Sequence, residues 1–89
     1  MISNEDKSRL LELAKKYNIS KLYLFGSNIE DKKNPTDIDL AVDGIEDSLF
    51  FKFYGELIFS MSKPVDLIDL KKKSLLNEMI KSEGVLLYG

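Results

Sequence analysis

Two periodicities organise the apolar positions of this chain. Leu10, Leu11, Ala14 and Tyr17 recur at helical spacing, with Lys7, Glu12, Lys15 and Lys16 filling the wet side. The preceding Ser3-Asn4-Glu5-Asp6 reads as a helix start with Ser3 as N-cap, and Asn18 as its stop. A second stripe, Phe50, Phe53, Tyr54, Leu57, Ile58 and Met61, predicts a helix over 48–61. A third helix is built on Leu75, Leu76, Met79 and Ile80, after Lys71-Lys72-Lys73, and ends near Gly84. Short β-prone runs lie between them: Lys21 to Phe25, Asp37 to Val42, Val65 to Leu70 after Pro64, and Val85 to Tyr88. Gly26-Ser27 closes the first run in a tight turn, Asn28 to Thr36 is a polar loop punctuated by Pro35, and Asp43-Gly44 is a further turn.

The predicted order is helix, strand, strand, helix, strand, helix, strand. That interleaving implies one compact α/β (α+β) unit over residues 1–89, with a mixed sheet of about four strands flanked by three helices. No repeat, linker or low-complexity stretch interrupts it. A chain of 89 residues has room for one small core, and its 44% hydrophobic content is enough to build it.

The Asp37 to Val42 run alternates without a break, so Asp37 and Asp39 share one face of the strand and Ile38, Leu40 and Val42 the other. Alternate strand residues sit roughly 6.5–7 Å apart, close enough for two carboxylates to converge on one cation or flank a pair. In the Val65 to Leu70 run, Asp66 and Asp69 fall on opposite faces, so only one can join them. Aspartate is a poor strand former, and three acids among Leu, Ile and Val repel one another unless a cation sits between them. The competing reading places Asp37 and Asp39 on an edge strand, facing solvent. Gly26-Ser27 adds backbone N–H groups and a hydroxyl at a sharp turn, which suits a phosphate oxygen.

Composition narrows the chemistry. The chain has no Cys and no His, which removes thiol nucleophiles, imidazole bases and Cys- or His-ligated metals. Carboxylates, amines, hydroxyls and a hard metal on oxygen ligands are what remain. Thirteen basic against fifteen acidic residues give a net charge of -2, which argues against nucleic acid held by bulk electrostatics. The acidic, polar N-terminus is unlike a signal peptide and no apolar run reaches membrane-spanning length, so the expected setting is the cytoplasm.

Leu24-Phe25-Gly26-Ser27, then Thr36-Asp37-Ile38-Asp39-Leu40-Ala41-Val42, Val65-Asp66-Leu67-Ile68-Asp69-Leu70 and Glu83-Gly84-Val85-Leu86-Leu87-Tyr88, resemble a minimal nucleotidyltransferase of the DNA polymerase β-like superfamily, antitoxin type. The similarity runs over essentially the whole chain. It implies a compact palm domain that moves a nucleoside monophosphate, here AMP from ATP, to an acceptor hydroxyl. By matched position it implies that Gly26 and Ser27 engage the triphosphate, and that Asp37, Asp39 and Asp66 hold two Mg2+ ions and carry catalysis. With no His present, Asp66 is the expected proton acceptor. Asp69 matches a common non-catalytic acid. Relatives commonly carry Ala-Arg-Gly after the Gly-Ser pair; here Asn28-Ile29-Glu30-Asp31 stand in its place, followed by Lys32 and Lys33.

The resemblance further implies a HEPN-domain toxin as partner and acceptor. The predicted central helix supports a partner on its own account. Beyond its main stripe it carries Phe51 and Phe59 with Gly55 between them, and a helix apolar nearly all round is either buried or docked. A homodimer or hetero-oligomer is expected. Two other functions stay open: an antitoxin acting by contact alone, and NMP transfer to RNA or a small molecule, with RNA disfavoured by the acidic charge and the lack of a stacking platform.

Overall fold

A computed structural model describes residues 2–26 and 37–89. Among these the chain forms α1 (Asn4–Lys16), β1 (Lys21–Phe25), β2 (Ile38–Asp43), α2 (Asp47–Ser60), β3 (Val65–Asp69), α3 (Leu75–Glu83) and β4 (Val85–Tyr88). The element order is the one predicted, with ends shifted by a residue.

The four strands form one mixed sheet in the order β3-β2-β1-β4. β1 runs antiparallel to both β2 and β4, and β2 runs parallel to β3. The helix between β2 and β3 is the crossover that a parallel pair requires. β1 and β2 are therefore interior strands, which explains their apolar content: Leu22, Leu24, Leu40 and Val42 are all but inaccessible.

One face of the sheet carries Leu22, Leu24, Ile38, Leu40, Val42, Val65 and Leu67, covered by Leu10, Leu13, Ala14 and Tyr17 of the α1 side and by Phe53 and Leu57 of α2. The other face carries Tyr23 and Ala41, covered by Ile80 of α3, with Leu70 beside them and Phe25 and Ile68 at the margin. No helix among the described residues is long and apolar enough to cross a membrane.

Local details show how side chains set these elements. The Ser3 hydroxyl accepts from the Asp6 N–H at 3.1 Å, the predicted N-cap. The Asp6 carboxylate turns inward instead of back onto the cap. It is buried and accepts from the Ser62 amide at 3.2 Å and the Ser62 hydroxyl at 2.6 Å, tying the start of α1 to the end of α2. Asn77, also buried, donates to the Lys72 and Asp69 carbonyls and fixes the β3–α3 turn.

Three apolar stripes are narrower than the sequence predicts. Ile58 is exposed, as are Leu75, Leu76 and Met79, so α3 buries only Ile80 and Asn77. Leu11 is half-buried, and Leu13 takes the core position beside Leu10 and Ala14. The small sheet offers α3 little area to cover, because β4 and β3 are short and their margins are open.

Candidate active site

Asp37, Asp39 and Asp66 meet at one end of the sheet, where β1 finishes and β2 and β3 begin. Asp39 is an interior position, opposite Phe25 of β1 on one side and Asp66 of β3 on the other. Register partners on neighbouring strands point to the same face, so Asp39 and Asp66 share the face that α3 covers further along. Asp37, two residues before Asp39, shares their side by the same periodicity. The edge-strand reading of Asp37 and Asp39 is thereby overturned: β2 lies between two strands.

Strand parity also separates the two acids of β3. Asp69 pairs with Val42 and belongs to the opposite side of the sheet from Asp66. Its Oδ1 accepts from the Lys71 amide at 2.9 Å and so shapes the turn that leaves β3.

Electrostatics single out Asp39. Its carboxyl is pushed above the ordinary aspartate range, first by burial, then by the negative charges of Asp66 and Asp37. Asp66 is exposed and Asp37 and Asp39 half-buried, so the cluster opens to solvent. The charges of Asp66 and Asp37 thus bear on Asp39 at the open end of the sheet.

Gly26 completes the described part of the site. Its φ of 73° lies in the left-handed region that favours glycine, and a Cβ there would collide with the Asp39 carboxylate. The glycine thus serves two purposes: it makes the turn, and it leaves room for Asp39. The sequence signals the turn; the contact with Asp39 becomes visible only once β1 and β2 are paired. Ser27, and with it Glu30, Asp31, Lys32 and Lys33, lies outside the described residues.

The donor set suits a hard divalent ion in kind, all oxygen and all anionic. Among the described residues no group of three such side chains is gathered closely enough to hold an ion alone.

Comparison with known proteins bears on the same residues. No curated protein matches the chain. Among solved structures, a chain of a toxin–antitoxin complex with AMP-PNP is 26% identical, with a TM-score of 0.76 over 98% of this chain and 74% of that one. A chain of the MntA-HepT toxin–antitoxin is 22% identical, with a TM-score of 0.72 over 98% and 73%. A third, from a complex of a tri-AMPylated Shewanella oneidensis HEPN toxin with an MNT antitoxin, is 24% identical, with a TM-score of 0.71 over 94% and 70%. TM-scores above 0.7 over nearly the whole of this chain show that these chains share the fold. The family model "Polymerase beta, Nucleotidyltransferase" matches residues 8–89, a span that holds Gly26, Asp37, Asp39 and Asp66, and the chain belongs to that family.

Proposed function

We propose that this chain transfers AMP from ATP to a hydroxyl of a HEPN-domain toxin, acting as its antitoxin in the cytoplasm, with residues 1–89 working as one nucleotidyltransferase domain. The observation that carries the reading is the register pairing of Asp39 with Asp66 beside Gly26, inside the span of the family model. The neighbour solved with AMP-PNP and the neighbour whose HEPN toxin is tri-AMPylated support adenylate as the group moved and a toxin as acceptor.

In this reading Asp37, Asp39 and Asp66 hold two Mg2+ ions, and Gly26 and Ser27 engage the triphosphate. Bound magnesium supplies Lewis acidity, acidifying the acceptor hydroxyl and neutralising phosphate charge. Asp66, the exposed member of the trio, would accept the proton of the incoming hydroxyl. The hydroxyl oxygen bonds to the α-phosphorus as the bond to the bridging oxygen breaks, and pyrophosphate leaves with the electron pair. Gly26 keeps the turn close to the Asp39 carboxylate, so phosphate and metal ligands are positioned together.

The experiment is transfer of label from ATP labelled at the α-phosphate to a HEPN toxin, with magnesium, beside an Asp37→Asn/Asp39→Asn control. Label on the toxin that vanishes in the control supports the reading. A second reading, neutralisation by contact alone, is favoured by Glu30 and Asp31 following Ser27, where two acids repel a triphosphate. A complex that forms without label selects it.

A further inference from the structure

The outer face of α2 carries an apolar feature that the fold itself does not use. Phe53 and Leu57 point into the core and are inaccessible. At 100° per residue, Gly55 lies diametrically opposite them, with Ser48, Phe51 and Phe59 within about 40° of it and Lys52 and Ile58 on the two flanks. Phe51 is 80% exposed and Phe59 93% exposed, and Ile58 on the flank is 56% exposed. Two phenylalanine rings thus stand one helical turn either side of a glycine, on the side of the helix facing away from its own domain.

Gly55 is the second, independent observation. Glycine is a poor helix former, and among the described residues nothing requires it here: a Cβ added at Gly55 meets no atom within 4 Å. Glycines in helices otherwise serve close approach by another backbone. The stripe Phe51-x-x-x-Gly55-x-x-x-Phe59 also reads the same in both directions about its centre.

We propose that this face is a two-fold interface with a second copy of the chain, in which the two α2 helices cross antiparallel at Gly55. Under a two-fold axis through that crossing, Phe51 of each copy meets Phe59 of the other, and the interface is self-complementary. Four rings at about 150–250 Å² each supply about half or more of the ~1,200 Å² at the low end of specific interfaces. Ile58 and the flanking stems add to it. Antiparallel crossing also sets opposite helix-dipole ends side by side. This inference concerns assembly and stands independently of the transfer chemistry.

The test is sedimentation equilibrium on the purified chain, with two variants at the crossing point. The wild type is expected to dimerise, and Gly55→Leu to weaken dimerisation at least tenfold by holding the helices apart. Because the space at Gly55 is open, the variant's melting temperature at concentrations where both proteins are monomeric should not fall, which separates lost assembly from lost folding. Gly55→Cys supplies a geometric check in a chain that has no cysteine. At a two-fold crossing the two sulfurs fall within disulfide reach, so oxidation should yield covalent dimer far faster than for Ser8→Cys on the exposed side of α1. A wild type that stays monomeric up to about 100 µM, well above the micromolar affinity of a modest interface, overturns the proposal. So does a dimer indifferent to Gly55→Leu, or equal oxidation of the two cysteine variants. A monomer whose toxin binding fails in Gly55→Leu would assign the face to the partner protein instead.

Discussion

Asp39 faces Asp66 directly across the parallel β2–β3 pair, and the negative charge of Asp66 is one of the forces that raises the Asp39 carboxyl above its ordinary range. Two strands rich in Ile, Leu and Val spend this register position on like charges. The arrangement opposes ionisation of Asp39 in the folded chain.

Replacement of Asp39 by Asn should therefore separate function from folding. Transfer activity is expected to fall by about 10²–10³-fold or more, the kinetic equivalent of several kcal/mol of metal-derived stabilisation. In magnesium-free buffer at neutral pH the variant should be at least as stable as the wild type, since a charge opposed by burial and by two neighbours has been removed. Magnesium should raise the wild-type melting temperature and leave that of the variant unmoved. Thermal melts with and without the ion, beside a transfer assay, read all three effects.

Gly26→Ala tests the contact between the turn and the carboxylate. A left-handed φ costs a non-glycine residue about 1–2 kcal/mol, and the added Cβ collides with Asp39 in addition. In an Asp39→Ala background the collision is gone and only the backbone cost remains. A double-mutant cycle by urea unfolding should show the two substitutions coupled, with Gly26→Ala milder in the second background. Purely additive effects would mean that glycine serves the turn alone.

The clasp between α1 and α2 should be pH-sensitive at both ends of the range. The Tyr17 hydroxyl donates to Glu56, which pushes the Tyr17 pKa up to about 12, and Tyr17 with Lys16 holds Glu56 below its ordinary value. A raised tyrosine contributes stability that is present below about 10 and lost as pH climbs toward 12. A lowered glutamate contributes stability that is present above its ordinary value near 4.5 and lost as pH falls through its folded value. Tyr17→Phe should accordingly lower the urea midpoint by a constant amount from about pH 5 to pH 10. The gap should narrow on either side of that window.

Most of the architecture was legible because periodicity reports burial. The strict alternation of Asp37 to Val42 fixed which residues of β2 face α1 and α2, and every strand fell where a β-prone run met a turn signal. What periodicity cannot report is which strands become neighbours. The interior position of β2, on which the half-burial of Asp39 depends, comes from long-range pairing with β1 and β3. Parity alone could say that Asp66 and Asp69 differ in face but not which of them joins Asp37 and Asp39. The resemblance favoured Asp66, and the register supplies the physical reason. Leu75, Leu76 and Met79 misled because a helical apolar stripe says that a face seeks cover without saying that this chain provides it. Asp6 misled more subtly: its backbone serves the cap as predicted, while its carboxylate finds Ser62, 56 residues away.

The two acids of β3 offer the sharpest single comparison. Both are aspartates, three residues apart on one strand, and a sequence comparison by composition treats them alike. Asp66→Asn removes a charge from the face shared with Asp37 and Asp39, and should cost transfer about 10²–10³-fold while leaving the fold intact. Asp69→Asn keeps a side-chain oxygen to accept from the Lys71 amide and touches the other face of the sheet. Its effect on turnover should stay within about twofold, and its effect on stability within about 0.5 kcal/mol, the range of a surface substitution that preserves its hydrogen bond. Steady-state kinetics on both variants with one acceptor, together with urea melts, decide the matter. Loss of turnover in Asp69→Asn with Asp66→Asn active would overturn the assignment of the third carboxylate to Asp66.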